Sequence, residues 1–135
     1  MAEKENVERI QRIYATFGDG DINALIETFS EDVKWSVSGS REVIPWAGDI
    51  KGRAALTDFF QCQLGMVNFL SCVPEEFIAQ GDTVVCIGTD VVRVVANGAN
   101  YETPWVHIYT FRGDDICKFR EFYDTHATAQ ALQGE

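Results

Sequence analysis

The period of the hydrophobic pattern changes about halfway along the chain. In the first half, apolar residues recur every three to four positions, which is typical of amphipathic helices. One stripe covers residues 3–17 and ends at two glycines, and a second follows the capping residue Asp21. A third helix opens at Gly52. Its inward-facing side chains are predicted to be Ala55, Leu56, Phe59, Phe60 and Leu64.

From about Val67 onward the apolar residues alternate with a period of two, which predicts extended strands. Turn signals at residues 80–82, 96–100 and 112–115 divide this half into four long strands, and a short strand at 33–37 lies among the helices. Loops this short join antiparallel neighbours. The order predicts an α+β fold, in which three helices cover one face of a curved antiparallel sheet.

Two features of the strand half carry further predictions. Pro74 falls inside the first long strand, so that strand is expected to lie at an edge or to contain a bulge. Residues 83–95 are apolar on both faces, and the helices can cover only one of them. The other face is therefore predicted to meet a second copy of the chain in a homodimer. After Asp124 the tail is weakly helical.

Composition limits the partners and the compartment. The 135 residues favour one domain over 1–135, and the net charge of −10, from 11 basic and 21 acidic residues, argues against nucleic acid and anionic membranes. The longest uncharged run, residues 59–74, is too short and too interrupted to span a bilayer. The polar start lacks a signal peptide, so we expect a cytoplasmic protein whose four cysteines are reduced. Their spacing predicts no metal site, and no cofactor is expected.

A sheet that curls over helices leaves a cavity, and the strand period indicates which side chains share a face. One choice of face gathers polar groups with large aromatics, as small-molecule pockets do. That set is Asp90, His107, Asp124, Trp105, Tyr109, Arg120 and Phe122. Spacing alone does not decide which face of the last strand lines the cavity, because Glu121 would point inward instead of Arg120 if the other face were concave.

Each candidate also has a purely structural interpretation. Asp90 could form a salt bridge with Arg93, and His107 could be a core histidine with satisfied hydrogen bonds. Asp124 could simply cap the turn or helix after its strand. Tryptophans are more often core than ligand walls, although Trp46 lies in a predicted loop.

The chemistry of such a cavity would be proton transfer. Burial among aromatic rings raises the pKa of a carboxyl group toward neutrality, which makes it a usable acid or base. Two carboxylates and an imidazole could serve isomerisation, aldol-type cyclisation or attack by an activated water. The sequence contains no glycine-rich phosphate loop, nucleophile elbow or HExxH motif.

Three segments resemble a known family. They are YATFGDGDINALIETFSEDVKW at residues 14–35, GRAALTDFF at 52–60 and DICKFREFYDT at 115–125. Together they resemble the SnoaL-like polyketide cyclases and ketosteroid isomerase-related proteins of the nuclear transport factor two-like superfamily. The resemblance implies a cone-shaped sheet of about four long strands and one short one around three helices, a deep apolar pocket and a dimer through the sheet. The same fold carries isomerases, cyclases, hydrolases and non-catalytic binders.

The resemblance also implies roles for single residues. Asp124 matches the acid/base aspartate of the cyclases, and His107 approximately matches their pocket histidine. Asp90 and Asp124 match the two aspartates of the limonene epoxide hydrolases, but Gly88 replaces the arginine that bridges them. Tyr14 lies near the position of the steroid isomerase's oxyanion-hole tyrosine, whereas the base aspartate of that enzyme is absent from WSVSG.

Two hypotheses follow for function. The first is a small enzyme without cofactor that acts on a hydrophobic carbonyl compound, with Asp124 as acid/base, His107 and Asp90 as proton relay and Tyr14 as oxyanion donor. The second is a non-catalytic protein that binds a small hydrophobic ligand in the same pocket. In both, the predicted ligand contacts are Trp35, Trp46, Phe60, Trp105, Tyr109, Arg120 and Phe122.

Overall fold

The computed structural model describes residues 2–134, which form helices and one sheet. The helices are α1 (Ala2–Gly18), α2 (Ile22–Glu27), α3 (Arg53–Met66) and α4 (Thr125–Gln133). The strands are β1 (Phe29–Val37), β2 (Gly48–Lys51), β3 (Val67–Gln80), β4 (Thr83–Val94), β5 (Asn100–Arg112) and β6 (Asp115–Tyr123). None of the helices within this range is long and apolar enough to cross a membrane.

The six strands form one sheet in the order β2-β1-β6-β5-β4-β3. The long strands β3 to β6 are the predicted antiparallel meander, since each pairs antiparallel with the next. β1 runs parallel to β6, and β2 pairs antiparallel with β1 at the edge. The predicted α+β class with a curved, mostly antiparallel sheet is therefore confirmed.

Two elements of the first half differ from the prediction. β1 begins at Phe29 rather than at residue 33, because α2 already ends at Glu27 and Phe29 pairs with Ile116 of β6. β2 was not predicted, since its four residues lie between glycines in a segment that reads as loop. Both strands depend on pairing with a distant part of the chain, which local pattern does not reveal.

The prediction for Pro74 is confirmed on both counts. β3 is the edge strand of the sheet, and its pairing with β4 shifts register between Pro74 and Glu76. A residue that lacks an N–H can be accommodated there because one side of the strand has no partner strand. The weakly helical tail also forms a helix, α4, for which Asp124 is the N-cap.

The helices pack on one face of the sheet and enclose the core with it. The largest side chains that are almost wholly buried there include Trp105, Phe29, Ile10, Ile44 and Leu56. On the opposite face of the sheet, large apolar side chains are exposed to solvent. Val73 and Ile78 are each 49% exposed, and Phe122 is 47% exposed.

Gly88 of β4 is required by the close approach of Trp105. Gly88 pairs with Trp105 in the antiparallel pairing of β4 with β5. A Cβ at position 88 would overlap the indole ring and the Val73 carbonyl oxygen. The ring, which is 1% exposed, cannot move away without disturbing the core. The absence of the hydrolase arginine at this position thus has a packing reason.

We expect Gly88→Ala to lower the free energy of unfolding by about 1–3 kcal/mol, because overpacking strains a rigid core. Urea denaturation followed by circular dichroism measures the change. Gly65→Ala is the matched control, since a Cβ there meets nothing within 4 Å and Gly65 lies in α3. That control should gain up to about 1 kcal/mol from helix propensity. Equal stability of Gly88→Ala and wild type would contradict the packing argument.

Candidate active site

A cavity of about 70 Å³ lies between the helices and the concave face of the sheet. That volume is large enough for several water molecules. Its walls are mostly aromatic and aliphatic, with a few polar groups on one side. The lining residues are Ile13, Tyr14, Phe17, Leu25, Phe29, Trp35, Phe59, Phe60, Gln63, Phe69, Cys72, Asp90, His107, Tyr109, Phe119 and Glu121.

A chain of hydrogen bonds crosses the polar side of this cavity. The Tyr109 hydroxyl donates to the Tyr14 hydroxyl oxygen over 2.9 Å. The Tyr14 oxygen lies 2.8 Å from His107 Nδ1, and His107 Nε2 lies 2.9 Å from Glu121 Oε2. The four side chains come from α1, β5 and β6, so the chain joins a helix to two neighbouring strands.

The direction of the hydrogen bonds defines the tautomer of His107. Since the Tyr14 oxygen accepts from Tyr109, its own proton is directed to His107 Nδ1. Nδ1 then accepts, and Nε2–H donates to the Glu121 carboxylate. Burial, with the neighbouring Tyr109 and Cys86, raises the pKa of Tyr14 far above its ordinary value, so Tyr14 stays a neutral donor.

Aromatic packing fixes the orientation of the His107 ring. The Trp105 ring stacks on it with centroids 3.9 Å apart and planes inclined by 13°. Tyr14 stacks nearly parallel to the same imidazole at 5.9 Å, and Phe119 lies at 5.0 Å. His107 therefore has a fixed position and both ring nitrogens in use.

Asp90 is the second carboxyl group at the cavity. It is 5% exposed, and its Oδ1 accepts a 2.8 Å hydrogen bond from the Trp105 indole N–H. Burial, together with the charge of Glu121, raises the pKa of Asp90 to about 6, although hydrogen bonds from Cys72 and Trp105 lower it. A group with this pKa exchanges protons near neutral pH.

A smaller chamber of about 20 Å³ adjoins the cavity. The two spaces share Gln63, Phe69, Asp90 and Glu121, so both carboxyl groups line each of them. The chamber's other walls are more polar than those of the cavity and comprise Trp46, Val92, Tyr101, Thr103, Tyr123 and Thr128. No group of three His, Cys, Asp or Glu side chains within residues 2–134 is arranged to hold a metal ion.

Several of the predicted site residues line the cavity or the smaller chamber. Six line the main cavity, as the sequence led us to expect: Tyr14, Trp35, Phe60, Asp90, His107 and Tyr109. Trp46 lines the smaller chamber, and Trp105 lies behind His107 and Asp90 as their packing and hydrogen-bonding partner. Asp90 does not form the alternative salt bridge to Arg93.

The predicted inward face of β6 is wrong. Residues opposite each other in an antiparallel pair point to the same side, and His107 is opposite Glu121. Glu121 therefore faces the cavity, whereas Arg120 and Phe122 point to the other side and are exposed. Arg120 instead lines a separate surface groove beside Lys34.

Asp124 does not reach the cavity either. Its side chain accepts a 2.9 Å hydrogen bond from the Ala127 amide as the N-cap of α4, and it is exposed. Its own amide donates to Thr103 Oγ1. The structural interpretation, an aspartate that caps the element after its strand, describes this position correctly.

Two polar residues of the cavity were not among the predicted site residues. Glu121 was recognised only as the alternative to Arg120. Gln63 was overlooked, although its position one turn after Phe59 and Phe60 marks it as a polar residue on the apolar face of α3. That pattern break was the available signal.

The fold agrees with the comparisons to known proteins. The SnoaL-like domain family matches residues 10–119, which is most of the chain. The chain therefore belongs to the SnoaL-like domain family. Among solved structures, an NTF2-like protein of Burkholderia xenovorans is 34% identical, with a TM-score of 0.84 and coverage of 96% of this chain and 97% of that one.

Two further structures are similar throughout. The TerC protein, crystallised with polyporic acid, is 28% identical, with a TM-score of 0.85 and coverage of 95% of this chain and 98% of that one. An NTF2-like protein of unknown function from Burkholderia pseudomallei is 22% identical, with a TM-score of 0.88 and coverage of 94% and 96%. This last likeness supports the fold alone. A comparison with curated protein sequences gave no match.

The raised pKa of Asp90 predicts a pH-dependent penalty on stability. The folded pKa of about 6 exceeds the ordinary 3.8, so the native state binds the extra proton between about pH 4 and pH 6. Stability should fall as pH rises through this window, because the buried group must then ionise. A shift of this size corresponds to roughly 3 kcal/mol.

Asp90→Asn removes this penalty and keeps an oxygen acceptor for Trp105. We expect the variant to gain stability relative to wild type as pH rises from 4 to 8, toward the full effect of roughly 3 kcal/mol. Urea unfolding curves of both proteins at several pH values in this range provide the measurement. A difference that stays constant with pH would contradict the assignment.

Proposed function

We propose that this protein is a small-molecule enzyme that performs acid/base chemistry on a neutral, hydrophobic carbonyl compound held in the aromatic cavity. Isomerisation, cyclisation and hydrolysis all lie within such chemistry, and the steps proposed below belong to the first two. Both begin when a proton leaves the carbon next to a carbonyl group. The observation that carries this proposal is the presence of two carboxyl groups in different settings, Glu121 and Asp90, at one apolar cavity.

Glu121 is suited to be the base. Its Oε2 is held by His107, which leaves the other carboxylate oxygen without a side-chain partner among residues 2–134. The Tyr109–Tyr14–His107 chain fixes the imidazole, so the carboxylate is positioned before a substrate binds. Removal of the proton by Glu121 converts the C–H electron pair into the C=C bond of an enol.

Asp90 is suited to be the acid. A carboxyl group with a pKa of about 6 is protonated in a useful fraction of molecules near neutral pH. It can give its proton to the carbonyl oxygen as the enol forms. If the substrate carries a C=C bond next to the carbon that loses the proton, the intermediate is a dienol. Glu121 then returns its proton to the far carbon of that dienol as Asp90 takes back the enol proton, so the double bond has moved with no net change in the enzyme.

The family relationship supports a small-molecule ligand. The TerC protein was co-crystallised with polyporic acid, and this chain has the same fold at 28% identity to it. The cavity walls here are mainly aromatic, which suits a flat ring system.

A binding protein without catalysis is the second candidate. One observation favours it, namely that both nitrogens of His107 are already bonded to protein groups. The members of such a saturated network satisfy one another's hydrogen bonds, so the network is explained without any catalytic role. The two candidates differ in what happens when Glu121 loses its charge.

The enzyme proposal predicts that Glu121→Gln abolishes proton removal and retains binding. As a probe, 2-indanone offers acidic protons beside a ketone, and their exchange in D₂O is followed by proton NMR. Wild type should accelerate exchange over buffer, and Glu121→Gln should lower the enzymatic rate by about 10²-fold or more, since general-base catalysis contributes that much.

Asp124→Asn serves as the control, because the Asp124 side chain caps α4 outside the cavity. Its exchange rate should equal that of wild type. If exchange in wild type does not exceed buffer while 2-indanone still binds, the binding protein is the better description. If Asp124→Asn lost exchange and Glu121→Gln kept it, the assignment of the base would be wrong.

We also propose that the open face of the sheet pairs with a second copy of the chain. The apolar rows across β3 to β6 on this face include Ile78, Val85, Ile108, Ile87, Val106 and Phe122. One side of this surface carries the exposed Arg120 and the other the exposed Glu76. A two-fold axis parallel to the strands would place the basic side of each copy over the acidic side of the other.

The dimer predicts a sedimenting species of twice the 15.1 kDa chain mass in analytical ultracentrifugation. Phe122→Glu should shift this species toward monomer, because it places a charge within one of the apolar rows. Val95→Glu is the matched control, since Val95 is 54% exposed but follows β4 outside these rows. A monomeric wild type would refute the proposal.

A further inference from the structure

Gln63 is a polar side chain placed where an apolar one would be expected. It lies on the face of α3 that packs toward the sheet, is 8% exposed and lines both the cavity and the smaller chamber. Its neighbours on this wall are Phe69, Asp90 and Glu121. Among residues 2–134, no side-chain hydrogen bond involves the Gln63 amide.

An amide group in this position has an energetic cost. Burial of a polar group without a protein partner is unfavourable, and a leucine at the same place would bury apolar surface instead. The cost is offset when a ligand or water supplies the missing hydrogen bonds. The Gln63 amide is not among the sealed polar atoms, so it presents its hydrogen-bonding groups to whatever fills the cavity.

The free N–H groups of Gln63 complement the other polar groups of the cavity. The carboxylates of Asp90 and Glu121 accept hydrogen bonds, while Tyr14 and Tyr109 already donate along their chain. The indole N–H of Trp35 also has no partner among residues 2–134, but that nitrogen is sealed from the cavity space. Gln63 thus supplies the accessible neutral donor beside Asp90.

We propose that Gln63 is the specificity-determining residue that binds the carbonyl oxygen of the ligand. Its amide donates a hydrogen bond to that oxygen. The preferred ligands are neutral ring ketones, because the two carboxyl groups would repel an anionic ligand. The proposal rests on the proposed function only for the class of ligand, since it concerns binding and not turnover.

The test compares two probes of nearly equal shape, 2-indanone and indane, which differ in the ketone oxygen. Titration calorimetry, or tryptophan fluorescence, gives the dissociation constant of each for every variant. Wild type should bind the ketone about tenfold more tightly than the hydrocarbon, as expected for one buried hydrogen bond. In Gln63→Leu the ratio should fall to about one, with indane bound as well as in wild type or better.

Two controls separate this effect from general damage. Gln61→Leu makes the same substitution on the exposed face of α3 and should keep the tenfold ratio. Gln63→Met is a second, unbranched apolar variant that should reproduce the loss if Gln63→Leu packs poorly. Thermal melts establish that each variant is folded.

Three results would overturn the proposal. They are an unchanged ketone-to-hydrocarbon ratio in Gln63→Leu, a wild type without preference for the ketone, and loss of the preference in Trp35→Phe instead. The proposed enzymatic function fails separately, through unchanged exchange in Glu121→Gln. If Gln63→Leu loses the preference for the ketone over the hydrocarbon and Glu121→Gln keeps that preference, the role of Gln63 is supported whether or not the protein is catalytic.

Discussion

The pairing of β5 with β6 is the constraint on which the site depends. Because His107 lies opposite Glu121, the two side chains point to the same side of the sheet and can form their hydrogen bond. A shift of one residue would bring Arg120 or Phe122 to the cavity and expose Glu121. The Tyr14–His107 contact then ties this pair to α1, so the same register also positions the helix over the sheet.

Much of the fold could be predicted from the sequence because it rests on local patterns. The helical stripes, the four strands with their short turns and the unusual place of Pro74 all depend on neighbours within a few residues. β1 and β2 were harder, since the parallel pairing of β1 with β6 joins residues about ninety positions apart, Phe29 with Ile116 among them. Such pairing depends on the whole sheet and is invisible to local periodicity.

The candidate site was predictable only in part, for a similar reason. A period of two tells which residues share a face, and it placed Asp90, His107 and Tyr109 together correctly. It does not tell which face of the next strand joins them. Asp124 illustrates the limit, because an aspartate at the end of a strand is explained equally well by the helix it caps. The family resemblance favoured catalysis there, and the local chemistry was the better guide.

The polar groups in the cavity wall cost free energy to bury, and the fold itself does not need them there. Asp90 is buried at a pKa of about 6, and the Gln63 side chain on the same wall has no hydrogen bond to another side chain or backbone group within residues 2–134. Gln63 could be replaced by an apolar residue of similar size without loss of packing, whereas loss of the Asp90 oxygen would leave the buried Trp105 N–H unpaired. The tyrosine–histidine chain, in contrast, is fully satisfied from within. The wall therefore has two parts. In one part the polar groups satisfy one another's hydrogen bonds, and in the other, formed by Gln63 and Asp90, hydrogen-bonding groups remain available. A ligand gains most from binding at this second part.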